Sequence, residues 1–167
     1  MNRKFQIQHG VRILEKENIK RYVYGGKGIF VLKSIKSDKS YKYKMNICKK
    51  NEDLLYVSDC SRGYLGYINI KTNVYTHSKK SRVLITDESV KGINWLINQF
   101  NNEKVFPTEM EFHHMGVCCC CGRTLTVKDN IQLGIGPICF KNYGNRRMKK
   151  ILVIKKRMLK NIKKSNL

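Results

Sequence analysis

A chain of 167 residues with 41% apolar content can build one ordinary domain, or two very small ones, around a modest core. Its formal net charge of +22 argues for a polyanion or an acidic surface as partner, and no run of eighteen apolar residues is present to cross a membrane. The opening residues, Met1 to Gly10, lack the apolar stretch of a signal peptide, so a reducing, cytoplasmic location is expected.

Residues 1–24 admit either a short helix or a strand, with Val11, Ile13, Leu14, Ile19 and Tyr22 as the apolar positions. Residues 28–77 have the pattern of an antiparallel β-meander of four or five strands. Tyr41, Tyr43, Met45 and Ile47 alternate strictly with Lys42, Lys44 and Asn46, the period of a half-buried strand. Similar runs start at Gly28, Leu54, Tyr64 and Asn73, separated by turn-forming Asn, Asp, Ser and Lys. Thr86-Asp87-Glu88 then opens a helix, capped by Thr86 or Asp87, with Ile93, Leu96, Ile97 and Phe100 on one face and Trp95 beside it. These elements make one expected unit over 25–106. Pro107 marks a linker into a second unit over 107–144. Residues 145–167 read as a basic amphipathic helix with Ile151, Ile154, Met158, Leu159 and Ile162 on one face.

Charge follows this division. Residues 1–140 hold 23 Lys+Arg against 12 Asp+Glu, whereas 141–167 hold 11 and no acid. The expected nucleic-acid contacts are therefore Arg123 and the tail residues Arg146, Arg147, Lys149, Lys150, Lys155, Lys156, Arg157 and Lys160. Tyr43, Tyr56, Tyr64 and Tyr67 on the sheet are candidates to stack exposed bases.

Seven cysteines, five of them between Cys118 and Cys139, suit metal ligation better than a disulfide framework in a reducing compartment. Cys48 and Cys60 stand apart, as small hydrophobes in strand-like sequence. Cys118 and Cys121 have the C-x2-C spacing at which residues i and i+3 face one ion and the two between face away, so Cys119 and Cys120 are expected to be silent passengers. Thr126-x-x-Asp129 is a capping box for a short helix that Gly134 ends. Pro137 starts another helix and places Cys139 in its first turn, where the dipole favours a thiolate. A knuckle followed by a ligand at a helix start has the logic of a treble-clef-like zinc site. Zinc takes four ligands. His113 and His114 are the nearby candidates for the fourth; His114 lies four residues before Cys118, close enough to fold back. The expected site is Cys118, Cys121, Cys139 and His114, closed around a structural Zn2+.

The segments His114-Met115-Gly116-Val117-Cys118-Cys119-Cys120-Cys121-Gly122-Arg123-Thr124-Leu125-Thr126 and Gly134-Ile135-Gly136-Pro137-Ile138-Cys139 resemble a domain family of unknown function, frequent in bacteriophages and prophages. Its motif reads H-x-G-x-C-x-x-C-G-R-x-L-T, a Pro-Glu-Ser turn, then G-I-G-P-x-C. The likeness reaches upstream to about residue 25. It implies that His114, Cys118, Cys121 and Cys139 occupy the recurrent metal-type positions and Cys119 and Cys120 the variable ones. Lys128-Asp129-Asn130 depart from the Pro-Glu-Ser turn but keep an acid at the capping position. No activity comes with the family.

The fold class expected is α+β: a small antiparallel β-meander packed with a helix, a treble-clef-like zinc module and a basic C-terminal helix. The leading function is non-catalytic nucleic-acid binding by a small basic zinc protein of a phage or other mobile element. The alternative is a factor that binds or inhibits a nucleic-acid-processing protein complex or a defence complex, or that associates with the virion. No enzyme is expected, because no H-x-E, H-E-x-x-H or paired-carboxylate pattern accompanies the cysteines. No membrane partner is expected either.

Overall fold

A computed structural model describes residues 10–142. Its elements are β1 (Val11–Ile13), α1 (Lys16–Tyr24), β2 (Ile29–Ser34), β3 (Ser40–Ile47), β4 (Leu54–Asp59), β5 (Gly63–Asn69), β6 (Val74–His77), α2 (Glu88–Gln99), β7 (Met110–His114) and α3 (Lys128–Leu133). Residues 137–142 are helical again. The expected basic helix and Arg146, Arg147, Lys149, Lys150, Lys155, Lys156, Arg157 and Lys160 lie outside the described residues.

The seven strands form one sheet in the order β1-β7-β2-β3-β4-β5-β6, every neighbouring pair antiparallel. The meander β2–β6 is where alternation placed it. The sheet is larger than the four or five strands expected, because β7 inserts between β1 and β2. Both added strands are short, and His113-His114 at the end of β7 hides its apolar alternation. From Val11 onward the ambiguous N-terminal segment forms a strand followed by a helix. It is no appendage: Ile19, Tyr22, Val23 and Tyr24 of α1 are all buried.

One sheet face carries the core. Phe30, Leu32, Tyr43, Met45, Leu55, Val57, Ile68 and Phe112 form a single cluster with Ile19, Tyr22 and Val23 of α1 and Val90, Ile93, Leu96 and Ile97 of α2. Burying a large apolar side chain stabilises by about 1.5–3 kcal/mol, so this layer is the main source of folding free energy. Tyr43 belongs to it. Its ring is fully buried and its hydroxyl donates to the Ser89 carbonyl at 2.7 Å, tying α2 to β3, so Tyr43 is unavailable for stacking on a ligand.

Helix α2 starts as expected. Asp87 is the N-cap and accepts the Ser89 N–H at 2.9 Å. Arg62 bridges that cap to the buried Asp59 at the end of β4. Helix α3 starts differently. Val127 is its N-cap and no side chain caps it, so the Thr126–Asp129 box does not form. Gly134 does end it, in the left-handed region at φ 69°.

Candidate metal centre and the open sheet face

The cysteine segment begins where β7 ends. Gly116 and Gly122 take positive φ, and the chain doubles back as a narrow knuckle. Cys118 N–H donates to the Arg123 carbonyl at 2.8 Å, Gly122 N–H to the Cys118 carbonyl at 2.9 Å and Leu125 N–H to the Gly116 carbonyl at 2.9 Å. After α3, Ile135 is buried and the helical turn over 137–142 carries Cys139 back toward the knuckle.

The sulfurs of Cys118, Cys121 and Cys139 all lie within 4.8 Å of one another. The donor chemistry fits one soft or borderline metal ion, which thiolates bind with metal–sulfur distances of about 2.3 Å for zinc. Cys118 is buried, Cys139 partly so and Cys121 exposed. The Gly136 N–H points at the Cys118 sulfur at 3.3 Å. A hydrogen bond from the Cys120 thiol, joined by the N–H groups of Gly136, Cys121 and Cys120, holds the Cys118 thiol down to about 4 against the opposing cost of burial. Of the three sulfurs, Cys118 is the one whose thiolate its surroundings favour. Cys139 is pushed up to about 12, first by burial and then by sharing a proton with Cys121 beside the Cys118 charge. A cation set among the three converging sulfurs would favour their thiolate forms.

Neither histidine joins the three sulfurs. His114 is fully buried, its Nε2–H donating to the Ile131 carbonyl at 2.7 Å and its Nδ1 accepting the Gly116 N–H at 3.1 Å. Burial lowers its pKa, consistent with a neutral ring. His113 turns to the other sheet face, where its Nε2 lies 2.8 Å from Glu111, which also pairs with Arg12 at 3.4 Å. His114 instead acts on the knuckle through the backbone, linking β7, Gly116 and α3.

Two residues matter more than the motif spacing indicated. Cys119 is no passenger. It is buried, its carbonyl accepts the Lys27 N–H at 2.7 Å and its N–H donates to the Gly134 carbonyl at 2.9 Å. A methyl group at Gly25 would fall 2.6 Å from that carbonyl oxygen and 2.7 Å from the Cys119 sulfur, so the α1–β2 turn and the knuckle are in van der Waals contact. Cys120 sits at the edge, its sulfur 3.7 Å from that of Cys119. Tyr22 of α1 is the second. Its ring stacks on His114, its hydroxyl donates to the Val117 carbonyl at 2.9 Å and the Ile29 N–H donates to the hydroxyl at 3.3 Å. Nothing local to the sequence around Tyr22 announces this, since its partners lie on β2 and in the cysteine segment.

The sheet face opposite the core forms a second surface. On β3–β6 its outward positions form rows set by the register. Asn46, Tyr56, Tyr67 and Thr76 make one row, and Lys44, Ser58 and Tyr64 the next. Cys60 N–H donates to the Lys42 carbonyl at 2.9 Å, which places the exposed Cys60 beside Lys42 and Lys44. Among the described residues, these outward positions of β3–β6 hold no carboxylate. Arg123 is exposed on the knuckle.

No helix among the described residues is long and apolar enough to cross a membrane. Residues 109–144 match the profile of a family of unknown function (DUF6011). The match covers β7, the three clustered cysteines and the helical turn after Pro137, and it begins well downstream of residue 25, where the sequence likeness was expected to start. Comparison of the chain with curated proteins and with solved structures returns no match.

Proposed function

We propose that this is a zinc-stabilised, non-catalytic nucleic-acid-binding protein of a bacteriophage or other mobile element. The observation that carries the binding reading is the lysine- and tyrosine-bearing outward face of β3–β6, free of carboxylates, on a body that is itself basic. The described residues hold 22 Lys+Arg against 12 Asp+Glu, net +10. Surface cations of this density attract phosphate, and affinity then falls with salt as counterions are released.

Zinc in this reading is held by Cys118, Cys121 and Cys139 in a treble-clef-like module, knuckle first and helix start second. Its role in this reading is structural: it fastens the knuckle, which packs on the α1–β2 turn through Cys119, with the fourth tetrahedral position taken by a donor other than His114. The acid best held near this region, Glu111, is committed to Arg12 and His113 on the other sheet face, which favours a structural over a catalytic metal.

A second reading, docking of a nucleic-acid-processing protein, draws on Leu133, Ile138 and Phe140. Ile138 and Phe140 are 71% and 54% exposed on the metal-proximal helical turn. One titration separates the two. Zinc-loaded protein is titrated by fluorescence anisotropy into labelled single-stranded DNA, single-stranded RNA and duplex DNA at two salt concentrations. Binding that weakens steeply with salt, and weakens further in Lys42→Glu/Lys44→Glu, is the expected result. Salt-independent or absent binding to all three would overturn the first reading in favour of the second.

A further inference from the structure

Resting on the nucleic-acid reading, we infer that the ligand is a single strand, laid across β3–β6 with its bases on the rings of Tyr56 and Tyr67 and its phosphates at Lys42 and Lys44. Four observations carry this. The register places Tyr56 and Tyr67 directly opposite each other on neighbouring strands, so the two rings share one side of the sheet. Tyr56 is 39% exposed yet held: its hydroxyl donates to the Cys48 sulfur at 3.1 Å, and its ring forms a T-shaped pair with that of Tyr64, centroids 5.8 Å apart. A ring fixed by an edge contact and a hydroxyl anchor, with surface still open to solvent, loses little freedom when a base covers it. Lys42 and Lys44 project from the adjoining strand to the same side, two residues apart, with the polar Asn46 and Ser58 between them and the tyrosines in the register. The opposite face of the same sheet packs against α1 and α2, so the outward face, with Tyr56, Tyr64 and Tyr67, is the one left to a ligand.

Single strands are specified by the geometry of stacking. A duplex presents phosphates to lysines, but its bases lie stacked on one another and cannot reach two rings on a sheet. Unpaired bases can, and each stacked base adds to affinity with little regard to sequence. Duplex DNA should therefore bind through charge alone.

The test uses the full-length zinc-loaded chain and fluorescein-labelled oligo(dT), oligo(rU) and a duplex of equal length. Both single strands should bind more tightly than the duplex, and the ratio of the two reports the preferred sugar. Tyr67→Ala and Tyr56→Ala should each weaken single-strand binding by about 5- to 100-fold while leaving duplex binding unchanged. Tyr67→Phe should behave as the parent. Ultraviolet cross-linking of the parent chain to a 5-iodouracil oligonucleotide, mapped by peptide mass, should place the cross-link within residues 54–69. This measurement needs no variant to fold. Equal affinity for duplex and single strand with no response to the tyrosine changes, or cross-links confined elsewhere, would overturn the single-strand inference and leave the nucleic-acid reading standing. Absence of salt-dependent binding to any oligonucleotide would remove both.

Discussion

The rings of Tyr22 and His114 lie 5.0 Å apart, tilted by 25°, and between them they reach α1, β2, β7, the knuckle and α3. Both nitrogens of His114 are engaged in these links. His114→Ala should therefore leave one metal ion per chain and lower stability by about 2–3 kcal/mol, the cost of unpairing the Ile131 carbonyl and the Gly116 N–H in a buried site. Metal content by atomic emission and a thermal melt report the two quantities separately. A folded variant that has lost its metal would make His114 a ligand.

Cys119, Cys120, Cys121 and Cys139 should behave in three ways. Cys121→Ser and Cys139→Ser are expected to lose the metal, and with it the order of the knuckle, because binding free energy at such a site is folding free energy. Cys120→Ser should keep both. Cys119→Ser should keep the metal and lose about 1–3 kcal/mol, since it places a hydroxyl in a buried contact against Gly25. Metal stoichiometry and chemical denaturation across the four variants check the set; metal loss in Cys120→Ser with retention in Cys121→Ser would shift the ligand register by one.

Gly134 is held by two independent constraints, its positive φ and the Tyr22 ring, whose nearest carbon would lie 2.6 Å from an added methyl. Gly134→Ala should therefore cost more than the roughly 1 kcal/mol that a left-handed position alone demands. Amide exchange should show the loss at α3 and the knuckle before the meander.

Burial alone would raise the Asp87 carboxyl, but the Arg62 guanidinium and the N–H and hydroxyl of Ser89 outweigh it, and the group sits below its ordinary 3.8. Its contribution is then fully present above about pH 4 and fades as pH falls through the lower folded value. Asp87→Asn should flatten that acid limb of the stability profile while keeping the cap. Asp87→Ala should also lose the cap, about 1 kcal/mol at neutral pH. Melting curves between pH 2 and pH 7 distinguish the two.

What the sequence made legible follows the range over which its signals act. Alternation over six to eight residues identified β3 and its neighbours, and the i, i+3 spacing identified Cys118 and Cys121. Pro137 and Gly134 marked helix boundaries because their backbone preferences are local. Strands β1 and β7 were too short for a period to show, and their pairing is a contact between distant segments. Spacing rightly left Cys119 out of the converging sulfurs, but it says which side chains face an ion, not what their neighbours touch, so its burial against Gly25 did not show. The Thr126 cap failed because Val127 was free to take the extended N-cap conformation one residue later.

The place of β7 sets an order of assembly. Each hairpin from β2 to β6 closes over a short turn, so this part of the sheet can form from local contacts. Strand β1 has only β7 to pair with, and Val11 meets His114 across about a hundred intervening residues, the kind of closure that slows folding. On the ribosome, the meander can be complete while β2 still shows a bare edge and β1 has no neighbour. The last strand to arrive is the one that leads straight into the cysteines, so completion of the sheet and convergence of the three sulfurs are adjacent events in the life of the chain.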